Sequence, residues 1–196
     1  MQEITTNRQI EIIEAAGKLL MAKGVKGLTT KNLSIELGFS ESALYRHFRN
    51  KEDIVVLLIN YLEGNIKERL QPIYENTNLT SSEKLLSIFN SQFTFFQQNP
   101  HFIIAILSEG LFNETDKINA SILKVINYKL QLLSSIIDEG KKEGILKTAL
   151  TTEEMVHIIV GSFRMMMLKW KFSGFQLDLI TNGNSIMNTT INLLKS

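Results

Sequence analysis

The amino-acid sequence predicts an all-α fold, and three observations carry that expectation. Only two prolines, Pro72 and Pro100, interrupt 196 residues, and proline is the residue that most strongly opposes a continuing helix. Apolar residues recur at spacings of three and four along most of the chain, the period of one helix face. Capping residues punctuate these stretches, with Ser, Thr, Asp or Asn before an apolar run and often Gly after it.

Taken in order, the signals give nine helices and no strand. Ile10, Ile13, Ala16, Leu20 and Met21 make the stripe of a first helix over Thr6–Ala22, which Lys23-Gly24 should end. Thr29 or Thr30 caps a short second helix that runs to Leu37, and Gly38 stops it. Ser40 caps a third, to Phe48. Asn50 caps a fourth, with Glu52 and Asp53 in its first turn, where carboxylates favour the helix dipole. Its stripe runs from Ile54 through Leu58, Leu62 and Ile66 to Leu70, and Pro72 lies near its end. Thr80-Ser81-Ser82-Glu83 reads as a capping box opening a fifth helix to Gln98. A sixth starts at Pro100, a favoured first helical residue, and fades at Gly110. The seventh spans Asn113–Gly140, with Ile118, Ile122, Val125, Ile126, Leu130, Leu133 and Ile137 on one side. A second box, Thr151 to Glu154, opens the eighth to Phe172, and Asp178–Leu194 is the last.

Composition narrows the function. The absence of cysteine excludes a disulfide framework, a cysteine-ligated zinc finger and a cysteine nucleophile, and it fits a cytoplasmic protein. A hydrophobic content of 44% supports a sizeable core. The longest apolar candidates, 102–107 and 155–168, are too short or interrupted by His157 and Arg164, so no membrane span is expected. The polar start, Met1 to Arg8, does not read as a secretory leader. Net charge is +1, and residues 1–53 hold eight basic against seven acidic side chains, so charge alone does not point to nucleic acid.

The segment Gly27 to Phe48 does point there. Two short helices are joined by Gly38-Phe39-Ser40, and Leu33, Leu37, Leu44 and Phe48 are spaced to pack them together and onto the first helix. In such a helix-turn-helix the second helix enters the major groove. With Leu44 and Phe48 inward, Glu41, Ser42, Tyr45, Arg46 and Arg49 face outward. Arg46 can fork onto a guanine, Glu41 can accept from a cytosine amine, and Tyr45 and His47 can reach phosphate oxygens. Thr29, Thr30 and Lys31 begin the preceding helix, whose free N–H groups suit phosphate.

The run Gly-Leu-Thr-Thr, Leu-Gly-Phe-Ser, Leu-Tyr-Arg-His-Phe and Asn-Lys-Glu-Asp resembles the N-terminal signature of the TetR family of transcriptional regulators. The resemblance covers Arg8 to Asp53, about a quarter of the chain. It implies that Thr30, Tyr45, His47 and Lys51 hold DNA phosphates, and that Lys31, Glu41, Ser42, Ala43 and Arg46 sit at variable, base-reading positions. Glu41 departs from the lysine that many members carry, so either it reads a base or affinity leans on the flanking cations. The resemblance also implies two parts, a DNA-binding domain over 1–50 and an effector-binding and dimerisation domain over 51–196. It further implies a homodimer through the last two helices and a small-molecule effector among the central ones.

Other chemistry is not expected. His47, His101 and His157 are scattered, with no Cys and no paired acids beside them, so no metal and no cofactor are expected. His101 reads as an exposed helix-start residue, and His157 as a core or interface residue. No serine sits in a nucleophile elbow and no glycine-rich phosphate loop follows a strand, so the chain does not read as an enzyme. Phe89, Phe93, Phe96, Phe102, Tyr128, Met166 and Trp170 are candidates for a pocket wall as well as for ordinary core. Gly161 and Gly183 suggest close helix approach at an interface, and Ile180, Ile186, Met187, Ile191 and Leu194 give the last helix a face to bury. The competing function is a helical binding module of the same fold whose partner is a protein or a lipid. An apolar surface on the third helix would favour it.

Overall fold

Each expected helix has a counterpart in the computed structural model, which describes residues 7–45, 48–106 and 115–196, without the side chains of Asn7, Tyr45, Lys51, Ala105 and Ile106. The helices are α1 (Asn7–Gly27), α2 (Thr30–Leu37), α3 (Glu41–Tyr45), α4 (Lys51–Glu75), α5 (Ser81–Gln98), α6 (His101–Ile106), α7 (Asp116–Lys142), α8 (Thr152–Phe172) and α9 (Leu179–Leu194). Extended pairing among the described residues is confined to one isolated bridge, Leu146 to Lys195. No described helix is long and apolar enough to cross a membrane. The chain divides into two compact units, one within 1–66 and 100–125, the other within 67–99 and 126–196. The division passes through α4 and α7, each of which is one continuous helix.

In the first unit, α1 buries Ile12, Ile13, Ala15, Ala16, Leu19 and Leu20 and packs on α2 and α6. The break expected at Gly24 is present, with φ 63° and ψ −169°, but one more helical turn follows it to Gly27. That turn persists because Val25 is buried. Gly17 lets α6 approach, since a Cβ there would lie 2.9 Å from the His101 ring. His101 is thus half-buried rather than exposed, and burial pushes its pKa down. Phe102 beside it stacks on Tyr61 of α4, with ring centroids 5.9 Å apart. The start of α6 is His101 rather than Pro100, and its expected reach to Gly110 lies outside the described residues.

In the second unit, α9 packs against both α5 and α8. Both capping boxes are formed, Thr80 with Glu83 and Thr151 with Glu154. Gly183 of α9 faces Phe93 of α5 so closely that a Cβ would lie 2.6 Å from the ring. Gly183 therefore serves packing within the chain and is not available to a partner, which corrects its expected interface role. Met187, Ile191 and Leu194 are buried on the same side, whereas Ile186 faces solvent. The side expected on α7 is also divided: Ile118, Leu133 and Ile137 are buried, but Ile126 and Leu130 are exposed. The helix starts at Asp116, capped by the Thr115 hydroxyl, which accepts from the Ile118 N–H at 3.3 Å. The expected start at Asn113 lies outside the described residues.

Candidate nucleic-acid interface

The pair α2–α3 is built from its caps inward. The Thr29 hydroxyl accepts from the Asn32 N–H at 3.1 Å and opens α2. Asn32 in turn donates to the Gly27 carbonyl at 2.8 Å, tying α2 to the end of α1. Gly38 takes φ 68°, ψ 30°, the left-handed conformation that a side chain resists. Its N–H and that of Phe39 satisfy the Ile35 and Ser34 carbonyls at 3.1 and 2.8 Å. The chain so reversed enters α3 at Ser40, whose hydroxyl accepts from the Ala43 N–H at 3.2 Å. Leu33, Leu44 and Phe48 are buried, and Leu37 is half-buried.

This leaves a polar surface. Ser40, Glu41, Ser42 and Arg49 are exposed, as is Lys31, while Thr29, Thr30 and Ala43 are half-buried. The side chains of Tyr45 and Lys51, and the whole of Arg46 and His47, lie outside the described residues. Arg8 lies over the Phe39 ring, 3.6 Å from its centroid, and adds a cation beside the turn.

Acids near this surface would repel DNA, and several are already engaged. Asp53 accepts from the Arg49 N–H at 3.0 Å and from the Lys117 ammonium at 2.7 Å. The hydrogen bond from Lys117 is the main reason its carboxyl stays below the ordinary carboxylate range. The Thr115 hydroxyl donates to Glu52. The first turn of α7 thus clamps the first turn of α4. Glu36 faces Lys18 at 3.7 Å. These pairings join positions up to 64 residues apart and have no local sequence signal.

The aromatic candidates fall into separate groups. Phe89, Phe93 and Phe96 gather around the Phe163 ring, with centroids 5.3, 5.4 and 6.5 Å away. Met166 is buried one helical turn from Phe163, and Trp170 meets Phe175 at 4.8 Å. Phe102 belongs to the other unit. Tyr128 donates to the Gln71 side chain at 3.1 Å. Beside the phenylalanines lie two cations that carry no signal in the sequence pattern. The Arg69 guanidinium donates to the Ser91 carbonyl and hydroxyl at 3.0 and 2.8 Å and to the Gln92 Oε1 at 3.0 Å. Lys129 places its ammonium 5.4 Å from the centre of the Phe163 ring.

Known proteins match both parts of the chain. The profile of the bacterial regulatory proteins of the tetR family matches residues 12–58, and that of the YsiA-like protein C-terminal region matches 61–193. The chain belongs to the TetR family. Among relatives in this family range, the Fatty acid metabolism regulator protein of Bacillus subtilis is 22% identical over 184 residues, 94% of each chain. A Nucleoid occlusion factor SlmA of Alteromonas mediterranea is 30% identical over 142 residues, 71% of each chain. The fold is that of the crystal structure of the transcriptional regulator FadR from Bacillus subtilis in complex with stearoyl-CoA. That match has a TM-score of 0.80 at 23% identity and covers 93% of this chain and 97% of that one. FadR from Bacillus halodurans superposes with a TM-score of 0.84 at 20% identity, over 96% and 97% of the two chains.

As a TetR-family member the protein is a DNA-binding transcriptional regulator, not an enzyme. The family profile covers the helix-turn-helix together with the clamped first turns of α4. His157, expected in a core or interface, is exposed on α8, its ring Nδ1 2.8 Å from the Glu153 carbonyl. Its helix buries the face of Met155, Ile159, Phe163 and Met166, and position 157 lies off that face.

Proposed function

We propose that the protein represses transcription by gripping operator DNA as a homodimer, and that a small, largely apolar effector releases it. The observation that carries this reading is the α2–Gly38–α3 unit, which turns Leu44 inward and leaves Ser40, Glu41 and Ser42 in solvent. In this reading residues 1–50 meet DNA and 51–196 bind the effector and dimerise, in the cytoplasm. Thr29, Thr30, Tyr45, His47 and Lys51 hold phosphates. Lys31, Glu41, Ser42, Ala43 and Arg46 lie at base edges, with Ser40 fixing the helix start. The competing binding module would want an apolar α3. The exposed residues described on α3 are polar, although Ile35 on the neighbouring α2 is exposed.

The effector reading is supported by the phenylalanine group around Phe163 and by the FadR relative whose structure holds stearoyl-CoA. A long acyl chain is therefore the first ligand class to test. Release requires that the ligand bind the DNA-incompetent arrangement more tightly, because equal affinity for both arrangements shifts nothing. Differential binding of about 1.4 kcal/mol lowers operator affinity tenfold. The continuous helices α4 and α7 connect residues of both units and are the natural carriers of such a change.

The test is selection of bound sites from a random DNA pool by the full chain, followed by variants. Arg46→Ala should relax preference at one position, losing about 1–3 kcal/mol of discrimination there, while Lys51→Ala should weaken all sequences and lower the salt slope by about one. An Arg46→Ala protein with unchanged preference and affinity would overturn the reading face. A pool in which no sequence is enriched would overturn the operator reading altogether.

A further inference from the structure

Two lysines of the second unit are treated differently. Lys84 is buried and has the Glu139 carboxylate at 3.0 Å. Lys129 has the face of Phe163, and among the described residues its ammonium has neither a hydrogen-bond partner nor an ion-pair partner. Lys129 is half-buried, and partial burial without a counter-charge disfavours the charged form, a cost that a ring face offsets only in part. Burial, reinforced by the charge of Arg69, holds the Lys129 pKa down to about 8, so it still carries its proton at neutral pH.

An orphaned amide lies beside Arg69, the cation whose charge acts on Lys129. Gln92 is 1% exposed, and its Nε2 has no hydrogen-bond partner among the described residues. The orientation of the amide is fixed, because Arg69 Nη2 donates to Oε1 at 3.0 Å and would oppose an N–H in that place. Arg69 itself lies 4.5 Å over the Phe95 ring. Two cations and an unsatisfied amide N–H thus border the apolar cluster of Phe89, Phe93 and Phe163. The unmet demand of the Gln92 amide is for an acceptor, and the charge on Lys129 favours an anionic one.

We infer that Lys129, Arg69 and Gln92 receive the anionic head of an amphipathic ligand whose apolar chain lies against Phe163 and its neighbours. The inference rests on the effector reading above and sharpens it: the effector is an organic anion, not merely an apolar molecule. A carboxylate or a phosphate oxygen would accept from the Lys129 ammonium and the Gln92 amide together, so the charge-assisted bonds form where the free protein has none. A neutral chain of equal length gains only the apolar part.

The probes are dodecanoate, dodecanoyl-CoA and 1-dodecanol, titrated calorimetrically into the full chain and into Lys129→Met, Lys129→Gln and Gln92→Leu. The wild type should bind at least one anionic probe ten or more times as tightly as the alcohol. Lys129→Met should remove that preference while alcohol binding stays unchanged, and without ligand it should melt higher than the wild type. Dodecanoate as the preferred probe assigns the site to a carboxylate, and the thioester as the preferred probe assigns it to phosphate. Alcohol binding equal to that of the anions, or anion binding unaltered in all three variants, would overturn the anion site. If those ligands still released DNA, the effector reading would stand without it. If none of the three probes bound, both would fall.

Discussion

At the scale of single residues, what the free protein tolerates is as informative as what it satisfies. An unpaired Lys129 ammonium gives up its proton more readily in the folded chain than in the unfolded one. The sign follows from proton counting. Between the folded value of about 8 and the ordinary 10.5, the unfolded chain holds a proton on Lys129 that the folded chain has lost. The unfolded state binds more protons there, so stability rises with pH through that window. Arg69 is the charged group that faces Lys129, and burial holds its own pKa down to about 10, so it is cationic through most of that window. Lys117 works the other way, since its hydrogen bond to Asp53 raises its pKa, but it is the same in wild type and variant. Urea unfolding of the ligand-free protein should therefore show Lys129→Met more stable than wild type at pH 7, with the gap closing from pH 8 to 10.5. A constant gap would mean that Lys129 keeps its ordinary pKa in the folded protein, held there by solvent or a partner. None of this was legible in the sequence. A lysine in an amphipathic helix ordinarily reads as solvent-facing, and its surroundings come from α4, α5 and α8.

At the scale of elements the sequence was far more legible, because helix boundaries are decided locally. Thr29, Ser40, Asn50, Thr80, Thr151 and Asp178 each accept from a backbone N–H three residues on, and each stands where the sequence reading set a cap or a helix start. The sequence is least informative where packing overrides propensity. Val25 carries α1 past Gly24, and the clamp from α7 onto Glu52 and Asp53 depends on the tertiary fold. Thr115 followed by Asp116 was a usable signal for the start of α7, a cap with an acid in the first turn. The caps make their own prediction. Thr151→Ala removes the hydroxyl that meets the Glu154 N–H at 3.1 Å and should cost about 1 kcal/mol in thermal or chemical unfolding. Hydrogen bonds from the Thr151 N–H and hydroxyl hold the Glu154 carboxyl below its ordinary 4.5. Its contribution is thus complete above that value and is lost as pH falls through the lowered pKa. In Thr151→Ala the acid-induced loss of stability should be smaller than in wild type. An unchanged pH profile would mean the box does not persist in solution.

At the scale of the whole molecule, the exposed apolar residues indicate what the single chain leaves unfinished. Along α8, Ile158, Met165 and Phe172 face solvent in one row with Gly161, and Met165 and Phe172 are 66% and 82% exposed. On α9, Ile186 and Leu193 face solvent, Leu193 at 68%. Single exposed apolar side chains are ordinary, but rows of them on two adjacent helices form a surface suited to a partner. Gly161 fits such a surface, since nothing lies within 4 Å of where its Cβ would be and a partner helix could approach closely. A second copy related by a two-fold axis would cover both rows with the same residues, and it would present two α3 helices to successive major grooves about 34–36 Å apart or a multiple of that. Assembly and DNA binding are then linked. Met165→Glu with Leu193→Glu puts like charges across such an axis, where desolvation and repulsion act together. Because both positions are exposed in the single chain, the double variant should keep its helix content and melt cooperatively. In sedimentation at micromolar concentration it should run as a monomer where the wild type should run as a dimer. Its operator affinity should fall at least a hundredfold, while binding to random DNA at low salt, which needs only one head, should fall much less. A double variant that still sediments as a dimer would place the interface elsewhere. A monomer that keeps full operator affinity would break the link between assembly and recognition.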